Sequence, residues 1–125
     1  MRGVPWRFGP IAVTNTYTTN ILNPGTTTGG VNCTSAPYNN LTILLRHLRV
    51  TNKTAGAVTI RLYLGATGAN TAGTEILYDY SIPANDVKEF WFEDLRLSTS
   101  DFLVGGASAA TSLLIEGEGE LCVGT

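Results

Sequence analysis

Charge is scarce in this chain: Asp, Glu, Lys and Arg make up 14% of its 125 residues, against about 25% in an ordinary soluble domain. Its polar surface must then come from Thr, Asn, Ser and Gly, as in TNTYTTN, GTTTGG and ATGANTAGT. So little charge is a weak defence against association, which points to a partner or to copies of the same chain. The net charge of −2 removes the electrostatic case for binding nucleic acid. Cysteine is nearly missing too. Cys33 and Cys122 stand far apart, with no CxxC and no histidine beside them, which excludes a zinc site. They can pair only if their segments meet in space, and a reducing compartment opposes that. No apolar run approaches the ~20 residues that span a membrane. The opening MRGVPWRFGPIAV is interrupted by Pro5 and Pro10 and lacks the apolar run of a signal peptide. The chain is therefore expected to be made, and held until moved, in a cytoplasm.

Helical spacing is also lacking, and alternation with a period of two takes its place. From residue 44, Leu44, Arg46, Leu48 and Val50 share one parity, and Leu45, His47 and Arg49 the other. Val58, Ile60, Leu62 and Leu64 then share a face, with Thr59, Arg61 and Tyr63 opposite. The polar TNKTAG between the two runs predicts a β-hairpin. A strand over 75–82 is ended by Pro83, IPAND turns, and DVKEFWFED is a further strand with Phe90, Trp91 and Phe92 on both parities. Residues 95–102 continue through STSD, and a last strand runs from Ser112 to about Cys122. Upstream, PIAVTNTYTTNIL reads as the first strand. The loop formers NPGTTTGGVNCTSAPYNN follow, with a short strand near Val31. A loop of that length is uncommon unless it binds something or packs on a neighbour. No repeat and no linker divides the chain. The reading is one domain over 1–125, with an N-terminal arm over 1–10 and a sandwich over 11–125. Its fold class is all-β: an antiparallel β-sandwich, a jelly roll of seven or eight short strands with no substantial helix.

The only histidine, His47, sits between Arg46 and Arg49. A catalytic histidine needs a placed nucleophile or carboxylate, and no GxSxG or similar mark is present, so His47 reads as a structural or interface rung. In EGEGE, Glu116, Glu118 and Glu120 fall on one strand face and Gly117 and Gly119 on the other. Three like charges in a row call for compensation. The open alternatives are cross-strand pairs with Arg46, Arg49 or Arg61, salt bridges to a neighbouring subunit, or a calcium ion, although the spacing is not an EF-hand loop. The two glycines would also let another backbone approach closely. RGVPWRFGP reads as too broken by Pro and Gly to form its own strand. Its Arg2, Trp6, Arg7 and Phe8 are hot-spot residue types, so it either docks on a partner or folds back over an open sheet edge. The Asn-x-Thr triplets at Asn32, Asn40 and Asn52 are expected by chance in so Asn- and Thr-rich a chain. GATGANTAG lacks the ending of a phosphate loop. No catalytic, cofactor-binding or metal-binding residue is assigned.

The series LLRHLRVTNKTAGAVTIRLYLG, then SIPANDVKEFWFEDLRLSTSDFLVGGASAATSLLIEGEGEL, resembles small β-sandwich structural proteins of tailed bacteriophages. The matching positions are Asn52 in its turn, Ile82 to Asn85, Leu97 to Asp101, Ala107 to Ala110, and Gly119 with Glu120. The similarity covers residues 41–120 and does not reach the arm. It implies a non-enzymatic virion protein made in the host cytoplasm, with no membrane partner. Most similar are head decoration (cement) proteins, which sit on the capsid surface and bind the major capsid protein, often as homo-oligomers, with a trimer expected. On that expectation Arg2, Trp6, Arg7 and Phe8 dock on the capsid protein or on an adjacent copy. One alternative is a tail, neck or fibre module that binds another virion protein or host-surface carbohydrate, with Tyr63, Tyr78, Tyr80 or Trp91 as stacking platforms. The other, a polysaccharide-cleaving enzyme using Glu89, Glu93 or Asp94, would need two opposed carboxylates in a cleft, for which so small a sandwich has little room.

Overall fold

A computed structural model describes residues 4–23, 42–65, 70–97 and 101–121. Arg2, both cysteines, the strand expected near Val31 and most of the long loop lie outside the described residues. Eight strands are described: β1 (Val4–Ala12), β2 (Thr19–Leu22), β3 (Ile43–Asn52), β4 (Val58–Gly65), β5 (Glu75–Ile82), β6 (Val87–Leu97), β7 (Phe102–Ala107) and β8 (Leu113–Leu121). They form two four-stranded sheets, ordered β1-β8-β3-β6 and β2-β7-β4-β5. Every pairing is antiparallel. The fold is an all-β sandwich. Its pairings are nested, because β4 lies beside β5, β3 beside β6, β2 beside β7 and β1 beside β8.

Alternation in the sequence becomes a two-sided sheet. From the first sheet Phe8, Ile43, Leu45, Leu48, Val50, Leu97, Leu113 and Ile115 are buried, and from the second Ile21, Val58, Ile60, Leu62, Ile82, Leu103 and Ala107 meet them in one core. Each such aliphatic side chain taken from water is worth about 1.5–3 kcal/mol, and that burial holds the sheets together.

Three sequence expectations change. Residues 4–10 of the expected arm are not apart from the sandwich, since residues 4–12 form β1, the edge strand beside β8. Gly9 and Pro10 are absorbed by a register shift between Phe8 and Ile11, and Pro5 keeps its register opposite Glu120. There Gly9 takes φ +85°, and any Cβ would lie 2.5 Å from the Ile115 carbonyl oxygen. PIAVTNTYTTNIL is likewise not one strand. It is divided between β1 and β2, in different sheets, by a turn in which the Thr14 amide donates to Thr19 Oγ1 at 2.8 Å.

The third change concerns the hairpin. β3 and β4 do not pair with each other; they belong to opposite sheets, and TNKTAG carries the chain across the core as an arch. Alternation is the same for a strand in a hairpin and a strand in an arch, so the pattern alone could not separate them. Among the described strands, β4 and β5 are the only consecutive pair that shares a sheet. The crossings at 53–57, 83–86 and 108–112 are stitched together. The Asn52 amide donates to Asp86 O, Lys53 to Ser112 O and Asn85 to Thr54 O, at 2.9, 3.1 and 3.0 Å.

Asn52 is the pin of this end. Its side-chain amide, 1% exposed, faces the carbonyls of Gly56, Ile82 and Pro83 at 2.9, 3.1 and 3.1 Å. Its Oδ1 accepts from the amide and hydroxyl of Thr54 at 2.9 and 2.7 Å. One side chain therefore serves two crossings. Asn52→Ala should cost about 1–3 kcal/mol by leaving buried carbonyls unpaired, and Asn52→Asp should cost more, because a carboxylate faces those carbonyls with no proton to donate. Urea denaturation of the three proteins checks the order, and equal midpoints would refute the role.

Candidate functional site

The outward face of β1-β8-β3-β6 gathers most of the charge in the described strands. One lateral row crosses all four strands, with Arg7 opposite Glu118, Glu118 opposite His47, and His47 opposite Trp91. A second row joins Glu116, Arg49 and Glu89. On the other side of the first row stand Pro5, Glu120 and Arg46.

A β-bulge aligns the first row. Leu45 pairs with Gly119 and His47 with Glu118, so Arg46 is an extra residue in β3. On the other side Leu45 pairs with Leu95 and His47 with Trp91, so β6 passes residues 92–94 across that same point. The parity read from the sequence breaks here. Leu45 points inward with Leu48 and Val50, and both Arg46 and His47 stay on the outer side. Two adjacent polar residues between inward leucines are the sequence mark of such a bulge.

His47 is buried although it faces outward. Its Nε2 lies 3.0 Å from Glu89 Oε1 and its Nδ1 3.4 Å from Glu118 Oε1. The ring of Trp91 stacks on it, with centroids 4.0 Å apart and planes inclined by 23°. The glutamate stripe meets cations from its own chain: Arg46 Nη2 donates to Glu120 Oε2 at 2.7 Å, and Arg49 Nη1 to Glu116 Oε1 at 3.2 Å. Arg49 also holds Glu89 at 3.1 Å. Arg61, the third cation considered, is on the other sheet. There it pairs with Asp79 through Nε at 2.6 Å and lies between the rings of Tyr17 and Tyr78, at 4.4 and 4.2 Å. The glycines of the stripe face inward because nothing larger fits. A Cβ at Gly117 would lie 2.6 Å from the Phe8 ring and 2.7 Å from the His47 carbonyl oxygen, and one at Gly119 would meet the Leu44 carbonyl.

Of the four docking residues expected in the N-terminal segment, Arg7 is an exposed side chain on this face. Phe8 is a core residue at 1% exposure, so it is not a docking residue. The Phe8 ring fills the space left by Gly117. Trp6 lies on β1 opposite Gly119, and Arg2 falls outside the described residues. Of the candidate aromatic platforms, Tyr63 is buried, Tyr80 packs edge-on against Phe90 at 5.3 Å, and Tyr78 has one face on Arg61. Trp91 is 72% exposed.

Two shallow clefts flank the first row. One, of about 170 Å³, is lined by Arg7, His47, Arg49, Glu116, Gly117 and Glu118. The other, of about 490 Å³, lies over Pro5, Arg7, Arg46, His47, Trp91, Glu118 and Gly119. Among the described residues no three His, Cys, Asp or Glu side chains are set to share a metal ion. The hydrogen bond from Arg49, and secondarily that from His47, holds the Glu89 carboxyl below its ordinary range. A carboxyl so held is ionised at neutral pH and is a poor proton donor. No protein-family model matches this chain, and no curated protein matches it.

The same ion pairs set an acid dependence. Glu89 and Asp79 both titrate lower in the folded protein than their ordinary values, through the hydrogen bonds from Arg49 and Arg61 respectively. Their contribution to stability is therefore complete above the unfolded carboxylate range and is lost as pH falls through the lowered folded values. Urea midpoints should stay level from neutral pH down to about 5 and decline below it. Glu89→Gln should flatten that decline, and high salt should weaken it because both groups are exposed. An acid limb identical in Glu89→Gln would remove Glu89 from the account.

Proposed function

We propose that this chain is a non-enzymatic virion structural protein of a tailed bacteriophage, a decoration or cement protein bound to the outside of the capsid shell. The resemblance over residues 41–120 supplies the class, and the nested strand pairing supports a jelly roll within it. The observation that carries an assembly role is where the exposed apolar surface lies. Among the described residues, the large apolar side chains left exposed are Ile76, Tyr78, Tyr80, Val87 and Trp91. All belong to β5 or β6, an edge strand of each sheet, which meet where Tyr80 touches Phe90. Exposed apolar side chains gathered on open edges mark an interaction surface. In this reading the edge pair meets the major capsid protein or an adjacent copy in a homo-oligomer, a trimer being the expected form. Each contact is then repeated over a symmetric shell.

The alternative is a tail, neck or fibre module that binds another virion protein or host-surface carbohydrate, and the exposed ring of Trp91 favours it. Copy number in purified particles separates the two. Hundreds of copies, comparable to the shell protein, support decoration of the head. A handful moves the chain to the tail, neck or fibre, and absence from particles rejects both.

The docking surface has its own test. Deleting residues up to Phe8 does not isolate docking, because it removes half of β1 and a core ring. The pair Ile76→Lys and Val87→Lys alters the edge alone. It should lower occupancy on particles about tenfold or more, as loss of hot-spot contacts does, while stability stays within about 0.5 kcal/mol. Full occupancy by the double variant would rule out this edge as the docking surface.

A further inference from the structure

Trp91 stands on β6 but borders a cleft whose other side chains include Arg7, Arg46 and Glu118, a polar setting unlike the rest of the β5–β6 edge. We propose that this cleft is a saccharide site, in which a neutral pyranose ring stacks on the outer face of the Trp91 indole while Arg7 and Glu118 take its hydroxyls. It deepens the carbohydrate-binding alternative given above, naming the sugar class and the residues that take it, and does not depend on where the chain sits in a particle.

The platform comes first. Tryptophan is highly buried on average, yet Trp91 is 72% exposed. It is nonetheless held. Its inner face lies on His47, 4.0 Å away and nearly parallel, and His47 is buried with Glu89 and Glu118 at its two ring nitrogens. An indole fixed from below and open above presents its π-face without having to be ordered on binding, which lowers the entropic cost of taking a ligand. The apolar C–H face of a pyranose is flat and matches that surface.

The surrounding groups select the ligand. The cleft of about 490 Å³ falls within the range of small-molecule sites. Its polar lining combines donors on Arg7 and Arg46 with acceptors on Glu118, so neighbouring hydroxyls find both kinds of partner. Arg7 forms no ion pair with the described residues and lines both clefts. Arg46 is oriented by Glu120 at 2.7 Å.

Other occupants fit less well. A protein surface laid here would bury the Arg46–Glu120 and Arg49–Glu116 pairs, whereas interface centres are depleted of charge and desolvating ion pairs is costly. A phosphate backbone or an acidic sugar would meet the Glu118 carboxylate in the lining, where Arg46 is already engaged by Glu120. A neutral pyranose avoids each of these penalties and keeps the ion pairs partly in water.

Titration of the ¹⁵N-labelled full chain with maltohexaose, dextran and, as the acidic probe, polygalacturonate tests the site. The indole N–H signal of Trp91 is identified by its loss in Trp91→Phe. Maltohexaose or dextran is expected to shift that signal and the amides of residues 46–47 and 117–119, with dissociation constants of about 0.1–5 mM. Trp91→Ala should weaken binding about tenfold or more, and Arg7→Ala severalfold. Both variants should keep the wild-type urea midpoint. Arg7→Ala, on an exposed edge position, carries the test alone if the Trp91 variant loses its fold. The proposal is overturned if no probe shifts Trp91 at about 10 mM sugar units. It is equally overturned if only polygalacturonate does so, in a salt-sensitive way. A Trp91 signal that moves on dilution of the protein without sugar would identify a second copy as the occupant and overturn it too.

Discussion

A chain that crosses between two sheets at almost every connection has to satisfy the backbone groups of those crossings, because they leave one ladder before they enter the next. Among the described residues the requirement is met largely at one end, where the crossings at 53–57, 83–86 and 108–112 bond to one another. Asn52 sits among them, buried, and joins two of them through one amide. A buried carbonyl without a donor costs as much as several good packing contacts gain. Crossings closed in this way let the opposed sheets keep their common core without leaving these backbone groups unpaired.

With the sheets so placed, the outer face of β1-β8-β3-β6 becomes an ordered array of charge. β8 brings Glu116, Glu118 and Glu120 to one side because Gly117 and Gly119 fit the crowded inner side, against Phe8 and the backbone of β3. β3 answers with Arg49, His47 and Arg46, the last turned outward by the bulge. Like charges two residues apart along a strand are tolerable when each faces an opposite charge or a ring nitrogen across the ladder. The interaction that protects the stripe also burials His47 and gives Trp91 its support.

The molecule thus carries two surfaces of unlike character. The β5–β6 edge holds apolar side chains on strands whose outer backbone groups have no ladder partner in the described sheets. The face beside it is charged and carries the fixed ring of Trp91. Chemistry of the first kind suits a protein neighbour, and chemistry of the second suits a polar ligand. A low-charge domain can keep the two distinct because its ion pairs are concentrated on the polar face.

By itself the sequence determined that the chain is all-β, that Val58, Ile60 and Leu62 share a buried face, and that Glu116, Glu118 and Glu120 share the opposite kind. These are local consequences of a two-residue repeat. Tertiary structure decided the rest. Whether TNKTAG closes a hairpin or an arch depends on where β8 and β6 lie, since they compete with β4 for the edges of β3. Phe8 was legible as an aromatic beside arginines but not as core, because its pocket is made by a glycine more than a hundred residues away in the chain, Gly117. Arg46 and Arg49 could be named as partners for the stripe, yet only register could assign them and send Arg61 elsewhere. Alternation records which way a side chain points; which strand it points beside is settled by contacts that no local pattern contains.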